Sequence, residues 1–186
     1  MRIISGYLKG NRINFLKNEI TRPLKDSVKE NIFNVLEHSN LIKIKIKESL
    51  VLDLYSGIGS FGIECISRGA KKITFFERDN QAIKVLKENL NQLSIIDKSK
   101  IIIGNIENTL FNDFNEKFDI FFLDPPFNDN NFINNLKKIK QRNLFKLNHI
   151  IIIHRETKTR DNFNNLMTVI DIKEYGRSKI IFGFLN

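Results

Sequence analysis

Residues 50–64 read LVLDLYSGIGSFGIE, and this stretch restricts the fold more tightly than any other. An apolar run carries Asp53 near its end and leads into Gly57, Gly59 and Gly62, spaced G-x-G-x-x-G, at the start of a segment with helical periodicity. Glycines between a strand and a helix permit a tight turn and bring backbone N–H groups close to a ligand at the helix N-terminus. The chain is thereby committed to a βαβ beginning, and the alternation continues through the next hundred residues. Strands are predicted at 50–54, 73–76, 101–103, 118–123 and 149–153, with helices at 59–68, 80–93 and 132–141 and a short helix or turn near 106–111. Strands alternating with helices imply a mostly parallel sheet covered on both faces. The tail changes character: 167–173 and 179–184 flank Tyr175-Gly176-Arg177 and read as a closing antiparallel hairpin, which brings the sheet to seven strands.

The first fifty residues are less regular. Lys9-Gly10-Asn11 separates two short alternating segments, 1–7 and 12–16, which predicts a β-hairpin. Arg22-Pro23 breaks the chain, Asp26 is placed to cap a helix, and Val28, Ile32, Phe33, Val35 and Leu36 form its apolar stripe. Residues 39–49 contain I-K-I-K-I-K, readable either as an exposed strand or as an irregular link. The expected organisation is an N-terminal hairpin extension over residues 1–25 and one α/β domain over 26–186.

Of 186 residues, 41% are hydrophobic, enough to bury a core, and the net charge of +9 favours an anionic partner such as nucleic acid. The single Cys65 excludes an intramolecular disulfide and suits a reducing cytoplasm. Neither a signal peptide nor a membrane-length apolar run is present in the sequence, so no membrane role is expected. No cysteine–histidine cluster points to a metal.

Asp53 bears on which ligand the glycine loop takes, the alternatives for it alone being a helix cap or a satisfied polar residue at a sheet edge. A dinucleotide needs a pyrophosphate at these glycines, and a carboxylate four residues before Gly57 repels it. The same carboxylate suits a ligand carrying an ammonium and a sulfonium, which describes S-adenosylmethionine. Glu77, at the end of the second strand in FFERD, is placed to accept both hydroxyls of a ribose.

The fourth strand ends in Asp124-Pro125-Pro126-Phe127, at the same carboxyl edge as the glycine loop. There the Asp124 carboxylate and the Pro125 carbonyl can each accept one hydrogen of an exocyclic amino group. That pairing withdraws the nitrogen lone pair from conjugation and aims it at a methyl group. Phe127 offers an aromatic face for base stacking, worth roughly 1–3 kcal/mol. The tetrapeptide resembles the D/N-P-P-Y/F signature of methyltransferases that modify amino groups of nucleic-acid bases or a glutamine side chain.

The N-terminal blocks narrow the likeness. MRIISGYLKGNRI, TRPLKDSVKENIFNVL and VLDLYSGIGSFGIECISRGA resemble the bacterial small-subunit (16S) ribosomal RNA guanine-N2 methyltransferases over nearly the whole chain. The resemblance implies a Rossmann-like class I methyltransferase fold, S-adenosylmethionine as methyl donor and S-adenosylhomocysteine as product. It further implies transfer to the N2 amine of one guanine of small-subunit ribosomal RNA, free or within the assembled 30S particle, by a cytoplasmic monomer. It places Asp53, Ser56, Gly57 and Gly59 at the methionine part of the donor, Glu77 at the ribose and Asn105-Ile106 at the adenine. Asp124, Pro125, Pro126 and Phe127 would hold the guanine. Arg2, Lys9, Arg12, Arg22, Lys25 and Lys29 are the candidate RNA contacts, the alternative for each being a solvated surface position. His154, after the fifth strand, invites a catalytic reading, and the reading preferred for it is a polar residue at a strand end. Two departures stand out: Leu24 where the family has threonine after R-P, and Gly57-Ile58-Gly59-Ser60-Phe61 where it has G-S-G-x-L. Competing readings are a DNA amino-methyltransferase, for which the chain has no room for a target-recognition domain, and a non-catalytic RNA-binding relative, which intact Asp124 to Phe127 argue against. An NAD-dependent oxidoreductase is disfavoured by Asp53.

Overall fold

The computed structural model describes residues 1–16, 24–106, 114 and 116–186. Its elements run α1 (Asp26–His38), β1 (Leu50–Leu54), α2 (Ser60–Ser67), β2 (Lys72–Glu77), α3 (Asn80–Gln92), a single 3₁₀ turn (Ile96–Lys98), β3 (Ser99–Ile103), β4 (Phe118–Leu123), α4 (Phe132–Gln141), β5 (Phe145–Glu156), β6 (Met167–Tyr175) and β7 (Ser178–Leu185). Seven strands form one sheet in the order β3-β2-β1-β4-β5-β7-β6. The first five are mutually parallel, and β7 lies antiparallel between β5 and β6. This is the mostly parallel sheet that the alternation predicted, in the Rossmann-like α/β architecture that the resemblance implied.

Burial on both faces explains why β4 and β5 read as nearly unbroken apolar runs. Residues of alternate parity feed two cores. Val51, Ile73, Phe75, Ile120, Phe122, Ile150 and Ile152 pack against α1, α2 and α3. Leu52, Leu54, Phe76, Phe121, Leu123, Ile151 and Ile153 pack against Phe132, Leu136 and Ile139 of α4. β5 exceeds its predicted span at both ends: Phe145 pairs with Phe118 on β4, and His154 to Glu156 pair with β7.

The N-terminal segment departs from a full hairpin. It is held by one antiparallel bridge, Arg2 to Arg12, and its turn begins at Ser5 rather than at Lys9. Side-on contacts replace the missing ladder. Glu64 in α2 accepts the N–H groups of Ile4 and Ser5, each at 2.9 Å, and the Ser67 carbonyl accepts that of Tyr7 at 2.9 Å. Gly6 sits at φ +82°, where a Cβ would lie 1.9 Å from the Ser67 carbonyl oxygen, so only glycine allows this approach. Ile3 and Ile13 point into the core beneath.

Three other expectations change. Asp26 is not the cap of α1. The flanking position is Lys25, without a side-chain cap bond, and Asp26 occupies the first turn, where an acid still complements the helix dipole. The I-K-I-K-I-K stretch forms no strand: Ile42 and Ile46 are buried and the lysines exposed, so the alternation records a segment laid along the core without a ladder partner. Lys29 is 0% exposed. Its ammonium donates to the Arg2 carbonyl at 3.0 Å and lies 3.6 Å from Glu64, whose other oxygen accepts from Arg68. Burial lowers the Lys29 pKa against the pull of Glu64 and Asp26. An ammonium so enclosed has no surface to offer a phosphate, and Lys29 leaves the set of RNA contacts. Arg22-Pro23 and most of the predicted 106–111 helix lie outside the described residues.

Candidate active site

Period-two geometry places the chemistry. Asp53 pairs with Phe75 on β2 and with Phe122 on β4, and Phe122 pairs with Ile152 on β5. Two residues further along each of these neighbours stand Glu77, Asp124 and His154. All four groups therefore emerge on one face of the sheet, at the carboxyl ends of four adjacent strands, where open α/β sheets bind ligands.

Asp53 is 1% exposed. Its Oδ2 accepts the Gly62 N–H at 3.0 Å, and its Oδ1, also buried, has no partner among the described residues. Burial pushes the carboxyl well above the usual carboxylate range; the charges of Asp124 and Glu77 push the same way, and the Gly62 N–H opposes them. An orphaned, desolvated acceptor at a strand end fits a cationic ligand group. The glycines divide their work. Gly57 (φ +55°) has open space where a Cβ would stand, whereas a Cβ on Gly62 would lie 2.3 Å from the Phe75 ring. Gly57 thus faces a ligand's approach, and Gly62 lets α2 sit close on β2.

Glu77 fastens this loop. Its Oε2 accepts the Gly57 N–H at 2.6 Å and its Oε1 accepts those of Arg78 and Asp79. The Ser56 N–H and hydroxyl both donate to the Phe76 carbonyl. Three of the carboxylate's roughly four acceptor directions are in use. A ribose diol would share Oε2 with Gly57 or displace it. Asn105 and the buried Ile106 follow β3 at the same edge.

Asp124 leaves β4 with its N–H on the Leu54 carbonyl. Its Oδ1 lies 2.8 Å from His154 Nδ1, and the Phe127 ring stands nearly perpendicular to the imidazole, 5.5 Å between centroids. Pro125 is buried, Pro126 exposed and Phe127 half-buried. On the opposite face of β5, Arg155 is 1% exposed. It donates to the Pro126 and Asp129 carbonyls at 3.1 Å each, pairs with Asp161 at 3.0 Å and stacks over Phe132. One guanidinium therefore ties the loop after the prolines to the sheet. Sequence reasoning gave neither residue a role in the site; the signal for His154 was its parity with Asp124 on neighbouring parallel strands.

Arg2, Lys9, Arg12 and Lys25 are exposed. A hollow of about 520 Å³, lined by Tyr7, Lys47, Arg68, Lys71 and Lys98 among others, lies at the amino ends of the strands, away from these acids. Among the described residues no acid, histidine and cysteine group could hold a metal, and no helix is long and apolar enough to cross a membrane.

A family model described as conserved hypothetical protein 95 matches residues 1–183. Ribosomal RNA small subunit methyltransferase D of Haemophilus influenzae is 35% identical over 158 residues, 84% of this chain and 79% of that protein. The Buchnera aphidicola (Baizongia pistaciae) protein of the same name is 34% identical over 168 residues, 90% of this chain and 80% of its own length. A solved structure of a Haemophilus influenzae protein provisionally described as a methylase superposes with a TM-score of 0.77 at 30% identity, covering 100% of this chain and 98% of that one. The chain belongs to the conserved hypothetical protein 95 family, alongside the ribosomal RNA small subunit methyltransferase D proteins.

Proposed function

We propose that this protein is an S-adenosylmethionine-dependent methyltransferase acting on the exocyclic N2 amine of a guanine in small-subunit ribosomal RNA. The observation that carries the reading is the placement of Asp124-Pro125-Pro126-Phe127 two strands from Glu77, and beside Asp53, at one sheet edge, in a chain whose relatives are named for methylating this RNA. The donor, when bound, supplies a methyl group on a sulfonium leaving group. Asp53 offers the unpaired Oδ1 to its positive charge, the Gly57 loop gives its backbone room, and Glu77 faces the ribose. Asn105 and Ile106 border the adenine. Asp124 holds the amine through the oxygen that His154 leaves untouched, and Phe127 stacks on the base. The protein's contribution is alignment and fixed charge. All of these groups come from one chain, which makes a monomer the proposed acting unit, and an enzyme of ribosomal RNA with one buried thiol suits the cytoplasm.

Labelled donor, the purified protein and small-subunit RNA lacking the modification test the proposal, with mass mapping of the product. The methyl group should appear on guanine N2, and running free RNA beside assembled subunits separates the two substrate forms. Asp124→Ala should lose at least about 10²–10³ in rate, the cost of one preorganised contact, while donor affinity stays nearly intact. Full turnover by Asp124→Ala, or efficient transfer to inosine in place of the guanine, would defeat the amine platform.

A further inference from the structure

We propose that His154 is a positioning residue for methyl transfer, fixing the Asp124 carboxylate through Nδ1 so that its second oxygen is presented to the target amine. This rests on the proposed role of Asp124 as the amine's acceptor and adds a residue to it. Leu123 pairs with Ile153 across the β4–β5 ladder, so Asp124 and His154 are the next residues out on two adjacent parallel strands. Their side chains meet at 2.8 Å, with 12% of the imidazole and 24% of the carboxylate exposed.

A carboxylate only accepts, so the hydrogen of this pair lies on Nδ1 and the imidazole donates to Asp124 Oδ1. Nε2, the other ring nitrogen, is buried without a partner among the described residues.

The ring is also held in orientation. Phe127 packs against it at an interplanar angle of 85°. The carboxylate that grips the amine and the phenyl that stacks on the base are thus both registered on one side chain. A carboxylate free to turn about Cβ–Cγ would present either oxygen in many directions. With Oδ1 tied, Oδ2 has one, and misplacement by about 1 Å costs on the order of 10²-fold in rate. A merely satisfied strand-end histidine would make the same hydrogen bond, but turnover would not depend on where the donor nitrogen sits.

That dependence is the test. The asparagine side-chain nitrogen reaches the place of Nδ1, while that of glutamine reaches the place of Nε2; both are polar and of similar bulk. Steady-state methylation of small-subunit RNA should show His154→Asn within about tenfold of native kcat and His154→Gln down by about 10². KM for RNA and donor affinity should change by less than about threefold, since neither is bound through this residue. In the Asp124→Ala background the two substitutions should add nothing further, as expected for residues acting as a unit. Asparagine no better than glutamine, losses confined to KM, or additivity with Asp124→Ala would each overturn the inference. Those outcomes leave the amine platform standing as long as Asp124→Ala is itself inactive; an active Asp124→Ala enzyme removes the platform and His154's role together.

Discussion

Replacing Asp53 with asparagine separates what this carboxylate costs the fold from what it contributes to the donor. The side chain is buried, one oxygen accepts from Gly62 and the other has no partner among the described residues. Burial first, then the charges of Asp124 and Glu77, hold its carboxyl well above its ordinary 3.8. Between 3.8 and that raised value the folded protein keeps a proton that the unfolded chain has released. The contribution of this group to stability therefore falls as pH rises through the window, by up to about 1.4 kcal/mol per pH unit for one proton. Asparagine cannot titrate. The unfolding free energy of Asp53→Asn minus that of the native protein should climb with that slope through the window and level off above it. The new amide places a donor where an orphan acceptor stood, a penalty of about 1–3 kcal/mol that does not vary with pH. The slope, not the offset, is thus the diagnostic quantity. Donor affinity should move the other way: loss of a charge-assisted contact worth about 1.5–3 kcal/mol weakens binding about 10- to 150-fold. Urea unfolding of both proteins from about pH 4 to about pH 8, with calorimetry of S-adenosylmethionine binding, reads both effects. Parallel pH–stability curves, or unchanged donor affinity in the variant, would refute the reasoning.

Exposed and buried cations should behave oppositely. Arg12→Ala should lower the slope of log K for RNA against log salt by about one. Lys29→Ala should leave that slope alone and cost about 3 kcal/mol in a urea melt, because Glu64 loses one of its two cationic neighbours. Arg155→Met should lower both the melting temperature and kcat, since Asp161 loses its nearest cation, leaving Lys179 at 3.5 Å, and the loop after Pro126 loses its tie; an unchanged kcat would show that the loop holds itself.

The parallel sheet was legible because burial on both faces writes itself as apolar runs, Ile150–Ile153 being the plainest. The closing hairpin was legible from the turn at Gly176. What sequence patterning misjudged was contact supplied by side chains from elsewhere. Glu64 and Ser67 take over hydrogen bonds that a hairpin's own strands would have made, so alternation over residues 1–7 and 12–16 overstated the strands. Lys29 reads as a surface lysine because nothing local reveals that Glu64, 35 residues on, faces it. In the site, glycine spacing and the Asp-Pro-Pro-Phe tetrapeptide pick out the residues proposed to meet ligand. The residues behind them, His154 and Arg155, carry no motif. Their alternation along β5 does place one on each face, and the register with β4 sends His154 to Asp124.

Charge on this protein is divided by function. The net balance is +9, yet the carboxyl edge collects Asp53, Glu77 and Asp124, close enough for the latter two to raise the pKa of the first. Such an edge attracts a cationic donor and repels phosphate. On the proposed function, an RNA substrate would keep its backbone at the rim of these acids while one base reaches in. The N-terminal segment carries the proposed phosphate contacts. The Arg2 carbonyl meets the Lys29 ammonium, which also reaches Ser60 at the start of α2, while Tyr7 is tied to Ser67 at its far end. The segment thus runs along α2 away from the catalytic edge. Its bridged pair, Arg2 and Arg12, lies at the near end, and Lys9 lies in the turn at the far end. Phosphate contacts position a nucleic acid and base contacts select within it. On the proposed function the two tasks fall to separate surfaces: the acids proposed to hold the donor and the amine repel phosphate, while the exposed Arg2, Lys9 and Arg12 lie on the N-terminal segment.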